Sequence, residues 1–230
     1  MIKSTKYNSV VRIVTFLFFG LALVEVICEF YIYKPLILVF KPLIPLALIL
    51  LYIIESKKRD LLFVILMSLS LLTNLLFIPD TMLCLFYALI VFTIHRILII
   101  YLIFKLNKIK DIVPIIIATA PFLIVFFYLF FETPYIPDDS FVLLILQNLL
   151  ISLFAGISLS SYVMNDNKQN SILLISALLF VMLQFVIFIE KYYLKNEYQE
   201  VLRPLAMTLN ALAFFSFYKY VIEAEKLNNN

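Results

Sequence analysis

Long apolar stretches alternate with short polar connections along the whole chain. Stretches long enough to cross about 30 Å of hydrocarbon as a helix fall at about 10–28, 35–54, 61–78, 81–104, 112–131, 140–163, 171–190 and 202–222. The connections carry turn and helix-stop residues, as in the segments 55–60 and 132–139. The pattern predicts an all-α fold, a polytopic transmembrane bundle of eight helices that forms a single integral membrane domain over residues 1–230.

The composition agrees with this pattern and excludes several classes of function. Hydrophobic residues make up 64% of the chain and charged residues 14%, and the mean hydropathy is +1.07, more than a soluble domain of this length can bury. The polar connections leave no room for a soluble catalytic domain or a nucleic-acid surface. Gly20 and Gly156 are the two glycines, so no glycine-rich phosphate loop is expected. We expect membrane lipids as partners, no nucleic acid and no cofactor.

The basic residues divide unequally between the two sides of the predicted bundle. Twelve lie on the side of the two termini: Lys3, Lys6, Arg12, Lys57, Lys58, Arg59, Lys105, Lys108, Lys110, Lys168, Lys219 and Lys226. Four lie on the other side: Lys34, Lys191, Lys195 and Arg203. Because basic residues are retained in the cytoplasm, this count predicts that both termini are cytoplasmic.

Strongly polar residues inside the spans are the candidate functional residues, since they are costly in hydrocarbon. Seven of them lie in the outer half of the membrane: Glu25, Lys41, Asn74, Gln147, Asn148, Gln184 and Asn210. His95 and Arg96 lie near the middle of the fourth span. The shared depth predicts one polar cavity, in which Glu25 or the amides would satisfy Lys41. The alternative for the amides is hydrogen bonding between helices.

The histidine, one arginine and the two cysteines limit the kinds of site that are expected. Adjacent helical positions point about 100° apart, so His95 and Arg96 are not expected to face the same cleft. His95 is the one histidine of the chain, and no metal site is expected. Cys28 and Cys84 lack metal-ligand spacing and are interpreted as two buried thiols, with a disulfide between them left open.

Four motifs occur in the same order as in a known family. The second span reads "FKPLIPLALILLY" around Lys41, the third "SLLTN" ending at Asn74, the fourth "VFTIHRILIIYLI" with His95, and the seventh "ALLFVMLQF" with Phe180 and Gln184. In this order the chain resembles the YhhN-like membrane family, the bacterial relatives of the lysoplasmalogenases. The resemblance covers nearly the whole chain and implies the inner membrane of a bacterium. Asn74 and Gln184 stand where the family has aspartate.

The resemblance implies a lysolipid ligand and, in active members, cleavage of the vinyl ether bond of lysoplasmalogens. That reaction needs a proton donor, and the two amides cannot supply a proton at neutral pH. We therefore expect a protein that binds a lipid or amphiphile without hydrolysing it, through Lys41, Asn74, Gln184, Asn210 and Gln147. One alternative is a lysoplasmalogenase-like hydrolase that uses His95 and Glu25 as catalytic residues. The other is a small-molecule transporter with helix breaks at Pro42, Pro45 and Pro121.

Overall fold

The protein is a bundle of eight α-helices, which confirms the predicted fold class. The computed structural model describes residues 2–107, 111–133, 136–194 and 197–227, with side chains from residue 9 onward. The helices are α1 (Ile2–Phe30), α2 (Lys34–Glu55), α3 (Leu61–Phe77), α4 (Met82–Leu106), α5 (Val113–Glu132), α6 (Asp138–Met164), α7 (Lys168–Phe188) and α8 (Gln199–Leu227). A π-helical turn, Ile189–Tyr193, extends α7. The described residues contain no strand.

Each predicted span is confirmed as a helix, and most helices are longer than the apolar stretch from which they were predicted. The final span was predicted at 202–222, whereas α8 covers Gln199–Leu227. The run of apolar residues ends at the edge of the hydrocarbon. The helix continues into the polar sequence beyond it, because its backbone hydrogen bonds persist until a cap or a turn ends the helix. Seven helices are long and apolar enough to cross a membrane, and α3 is a shorter apolar helix of 17 residues. The chain is an integral membrane protein.

Successive helices run in alternating directions, and α8 closes the bundle by packing against both α7 and α1. At one end, Tyr52 and Ser56 of α2 contact Glu225 near the end of α8, and Lys105 of α4 contacts Asp60 before α3. We call this the terminal end, because α1 begins and α8 finishes there. The opposite end, called the distal end, holds the α1–α2, α3–α4 and α7–α8 connections.

Aromatic rings fill much of the core between the helices. The ring of Tyr52 lies 4.2 Å from that of Phe63, and the ring of Phe180 lies 4.9 Å from that of Phe214. Gly156 lets α6 approach α5 closely, since a Cβ atom there would lie 2.8 Å from the backbone Cα of Thr119. In contrast, α1 and α5 expose broad apolar faces, as expected for surfaces that meet lipid.

The two cysteines are both free thiols, Cys28 buried and Cys84 half-buried. Both are thiols as interpreted, but the expected burial is confirmed for Cys28 and not for Cys84, and the disulfide that the sequence left open is not formed.

Candidate functional site

A cavity of about 80 Å³ lies at the distal end of the bundle. At about 10–15 Å³ for each water molecule, it has room for roughly five waters or one small polar headgroup. Residues of α1, α2, α3, α4, α7 and α8 line it, together with the π-helical turn. The polar part of the lining includes Glu29, Lys41, Asn74, His95, Arg203 and Asn210. The apolar part includes Ile37, Phe77, Phe92, Ile187, Met207 and Phe214. Such a mixed lining suits a molecule that has both a polar and an apolar part.

Lys41 is neutralised on the cavity wall by Glu29. The Lys41 Nζ lies 2.6 Å from the Glu29 Oε1, and the two side chains are 11% and 2% exposed. The sequence pointed to Glu25 or the amides as the partner, so the structure corrects this pairing. Glu29 stands one residue before the end of α1 and was not counted as intramembrane. The long stem of Lys41 reaches outward from a deeper position on α2 to meet it.

Pro45 explains how Asn74 is attached to the same wall. Proline has no backbone N–H, so the carbonyl four residues earlier in the helix loses its usual donor. In α2 that carbonyl belongs to Lys41, and the Asn74 Nδ2 donates to it over 3.4 Å. Lys41 thus supplies an ammonium group to the cavity wall, and its carbonyl, left without a helical donor by Pro45, holds Asn74 there.

His95 and Arg96 point in different directions, as predicted. His95 lines the cavity and is fully buried, with its ring 6.0 Å from that of Phe92 and 5.4 Å from that of Phe214. Arg96 lies behind the wall, where its guanidinium carbon is 4.6 Å from the centre of the Phe92 ring and 5.0 Å from that of Phe180. Neither residue makes a side-chain hydrogen bond to the part of the chain that the structure describes.

An ion-pair cluster forms part of the cavity wall beside the π-helical turn. Asp80 accepts hydrogen bonds from Lys191 at 2.7 Å and Arg203 at 2.5 Å, and Glu190 accepts one from Arg203 at 3.0 Å. Burial by itself would raise the pKa of Asp80, but the hydrogen bond from Lys191 and the two positive charges lower that pKa below its ordinary value. The cluster joins the α3–α4 connection to the π-helical turn and to α8.

Sequence reasoning did not identify this cluster. Lys191 and Arg203 were counted only as basic residues on the side opposite the termini, and Asp80 was not singled out. Asp80 has φ 56°, a left-handed conformation that aspartate tolerates. Its partners lie 111 and 123 residues away in the sequence, so no local pattern could reveal the contact.

The predicted site residues divide into two groups. Lys41, Asn74, His95 and Asn210 line the cavity, whereas Glu25, Gln147 and Gln184 do not. Gln147 instead ties α6 to α4, because its Nε2 donates to the carbonyl of Leu89 at 3.3 Å and to the Thr93 Oγ1 at 2.8 Å.

Gln184 and Glu25 are both buried near the lining without belonging to it. Gln184 lies on α7 beside Leu183, which lines the cavity. Glu25 lies one helical turn before Glu29 on α1. Among the described residues, no group of three or more His, Cys, Asp or Glu side chains could hold a metal ion.

The chain matches no protein-family model, no curated protein and no solved structure.

Proposed function

We propose that this integral membrane protein binds a single-chain amphiphile, such as a lysolipid, with the polar headgroup in the distal cavity and without hydrolysing it. The observation that carries the proposal is the Lys41–Glu29 pair on the wall of a cavity that is partly polar and partly apolar. A buried ion pair is a poor source of stability, because desolvation offsets the attraction between the charges. Its position on a cavity wall favours a role in binding instead.

The charges around the cavity favour an anionic or zwitterionic headgroup. Four cations line it, namely Lys34, Lys41, Lys191 and Arg203, against the lining carboxylates Glu29 and Glu190. Asp80 binds Lys191 and Arg203 from behind the lining, which leaves an excess of one positive charge. Phosphate oxygens are good acceptors for ammonium and guanidinium donors. Ile37, Ile187 and Met207 supply apolar contacts for the start of an acyl chain.

The amides support binding without catalysis. Asn74 lines the cavity and Gln184 does not, and both stand where YhhN-like proteins have aspartate. An amide keeps the shape and hydrogen bonding of a carboxyl group but donates no proton for acid catalysis. The resemblance to the YhhN-like family is part of this proposal, which describes a member that retains the cavity and lacks the two acids.

Lysolipid binding is tested by native mass spectrometry of the purified protein with a lysophosphatidylcholine. We expect one retained lysolipid per chain and about tenfold weaker binding for Lys41→Ala, which corresponds to roughly 1.4 kcal/mol. The matched control is Lys168→Ala, since Lys168 pairs with Glu223 at the terminal end and its removal should leave affinity unchanged. Absence of retained lysolipid, or equal losses in the two variants, would contradict the proposal.

A lysoplasmalogenase-like hydrolase is the second candidate, and one observation favours it. Glu29 lines the cavity together with His95, and Glu25 lies one turn from Glu29, so carboxyl groups are present near the site although the two family positions are amides. Vinyl ether cleavage needs a proton on the alkene carbon and then water on the resulting cation. No described helix favours transport in the same way, since α2 and α5 run unbroken through Pro42, Pro45 and Pro121.

Hydrolysis is tested by incubating the protein with a lysoplasmalogen and measuring released aldehyde. If binding is the whole function, the wild type releases no more aldehyde than a Glu25→Gln, His95→Ala double variant. Aldehyde release that depends on these two residues, or on Glu29, would replace the binding proposal with the hydrolase.

A further inference from the structure

Two carboxyl groups lie close together beside the distal cavity. Glu25 and Glu29 are four residues apart on α1 and therefore share one face of the helix. Glu29 is 1% exposed and holds Lys41 at 2.6 Å. Glu25 is fully buried and lies within electrostatic range of both Lys41 and Glu29. Neither oxygen of Glu25 makes a hydrogen bond of normal geometry within the described chain.

No second cation is placed to balance Glu25 among the described residues. The helix α1 packs against α2 and α8. On α2, Lys34 is exposed and lies two turns outward from Lys41. On α8, Arg203 is bonded to Asp80 and Glu190. Two carboxyl groups thus share one ammonium group.

The uncharged neighbours do not change this balance. Asn210 of α8 lines the cavity and carries no charge, and the buried thiol of Cys28 lies near both carboxyl groups. A buried carboxylate without a partner is strongly unfavourable, and the group takes up a proton instead. Two carboxyl groups that share a site also resist simultaneous ionisation.

We infer that Glu25 and Glu29 form a proton-binding site in the membrane-spanning bundle, in which the two carboxyl groups hold one proton and Lys41 is the counter-ion of the remaining negative charge. Glu29 lines the cavity, so the proton exchanges through it. The proton site requires no bound lipid, so it stands independently of the proposed function.

A consequence does rest on the proposed function. An anionic headgroup that attracts Lys41 weakens the contact between Lys41 and Glu29, and the carboxyl pair then takes up a second proton. Binding of an anion is therefore accompanied by proton uptake, because the two ligands favour the same state of Lys41.

Infrared spectroscopy of the purified protein at pH 7 tests the proton site through the carbonyl stretch of a protonated carboxyl group, which shifts in D₂O. We expect this band in the wild type. It should disappear in Glu25→Gln and also in Glu29→Gln, since the carboxyl group left in either variant ionises against Lys41. Lys41→Met removes the counter-ion and should double the band. Glu223→Gln, at the partly exposed pair with Lys168, is the matched control and should leave the band unchanged.

The inference is overturned if the wild type lacks the band, or if the band survives both glutamine substitutions. It is also overturned if the band is removed only by Glu225→Gln, which changes another buried carboxyl group. The Glu-to-Gln changes preserve side-chain shape, and the wild-type spectrum by itself tests for the bound proton even where a variant fails to fold. A protein with the expected band and no lysolipid binding would refute the proposed function and leave the proton site standing.

Discussion

The two ends of the bundle use the same kinds of polar residue in different ways. At the terminal end, Glu225 is 4% exposed and accepts hydrogen bonds from the Tyr52 hydroxyl at 2.5 Å and from the Ser56 hydroxyl at 2.6 Å. The Tyr52 hydroxyl in turn accepts from the backbone N–H of Asp60 at 2.8 Å. The donors and acceptors around Glu225 bond directly to one another.

Further hydrogen bonds connect other helices at the terminal end. Glu55 accepts hydrogen bonds from Tyr218 and Lys219, and the Asn107 Oδ1 accepts from Gln169 at 2.5 Å. These contacts join α2 to α8, and the residue that follows α4 to α7.

At the distal end, cations and carboxylates surround a space instead of filling it. Glu29, Lys41, Glu190 and Arg203 line the cavity, while the oxygens of Glu25 and the ring nitrogens of His95 make no hydrogen bond to described residues. Buried polar groups normally find partners, and groups without them mark a place where a ligand or a proton is expected. The hydrogen bonds therefore indicate a stabilising role for the terminal end, and the proposed binding site lies at the distal end.

The largest effect is expected from Glu225→Ala. The substitution removes two hydrogen bonds to a buried carboxylate and leaves two hydroxyl groups without their acceptor, so the free energy of unfolding should fall by about 3 kcal/mol. Equilibrium unfolding in mixed micelles measures this change. The control is Glu223→Ala, whose partner Lys168 is exposed, with an expected loss of about 0–1 kcal/mol. Equal losses for the two variants would remove the structural role given to the terminal end.

Asp80→Asn should have an intermediate effect that depends on pH. Asparagine tolerates the left-handed backbone of position 80 but loses the charge that holds Lys191 and Arg203, which should cost about 2 kcal/mol at pH 7. Because the pKa of Asp80 is lowered in the folded protein, its contribution is complete above the unfolded pKa and is lost as the pH falls through the folded pKa. Unfolding curves from pH 7 to 3 should therefore converge for the two proteins. A difference in the free energy of unfolding between the two proteins that stays constant across this pH range would show that the charge of Asp80 is not involved.

The smallest effect is expected from Asp60→Asn at the terminal end. Asp60 pairs with Lys105 at 2.5 Å, but the Lys105 side chain is 48% exposed, so water screens the pair and its loss should cost under about 1 kcal/mol. Asparagine keeps the cap that Asp60 forms with the Leu62 N–H. Thermal unfolding should show a small difference at low salt that vanishes at high salt. A loss as large as that of Glu225→Ala would mean that ion pairs, and not the buried hydrogen bonds, close this end.

Hydropathy and depth predicted the eight helices and part of the site. Lys41, Asn74, His95 and Asn210 line one cavity, since polar side chains at a shared depth tend to turn away from lipid and toward one another. Glu29 was missed because it stands next to the end of an apolar stretch, where a carboxylate can reach water.

The rotation of each helix could not be obtained from the sequence. Helices α4, α6 and α7 carry apolar residues on every side, so the pattern does not show which face meets which neighbour. For this reason Gln147 and Gln184 were grouped with the cavity residues, although they lie outside its lining.

Photolabelling with a lysolipid that carries a diazirine near the start of its acyl chain tests the distal cavity as a binding site most directly. The apolar lining predicts that peptide mapping finds the label at Ile37, Ile187 or Met207, that excess unlabelled lysolipid prevents it, and that Lys41→Ala reduces it. Label confined to the exposed apolar faces, such as Phe16 of α1 or Ile117 of α5, and insensitive to competition would contradict the account.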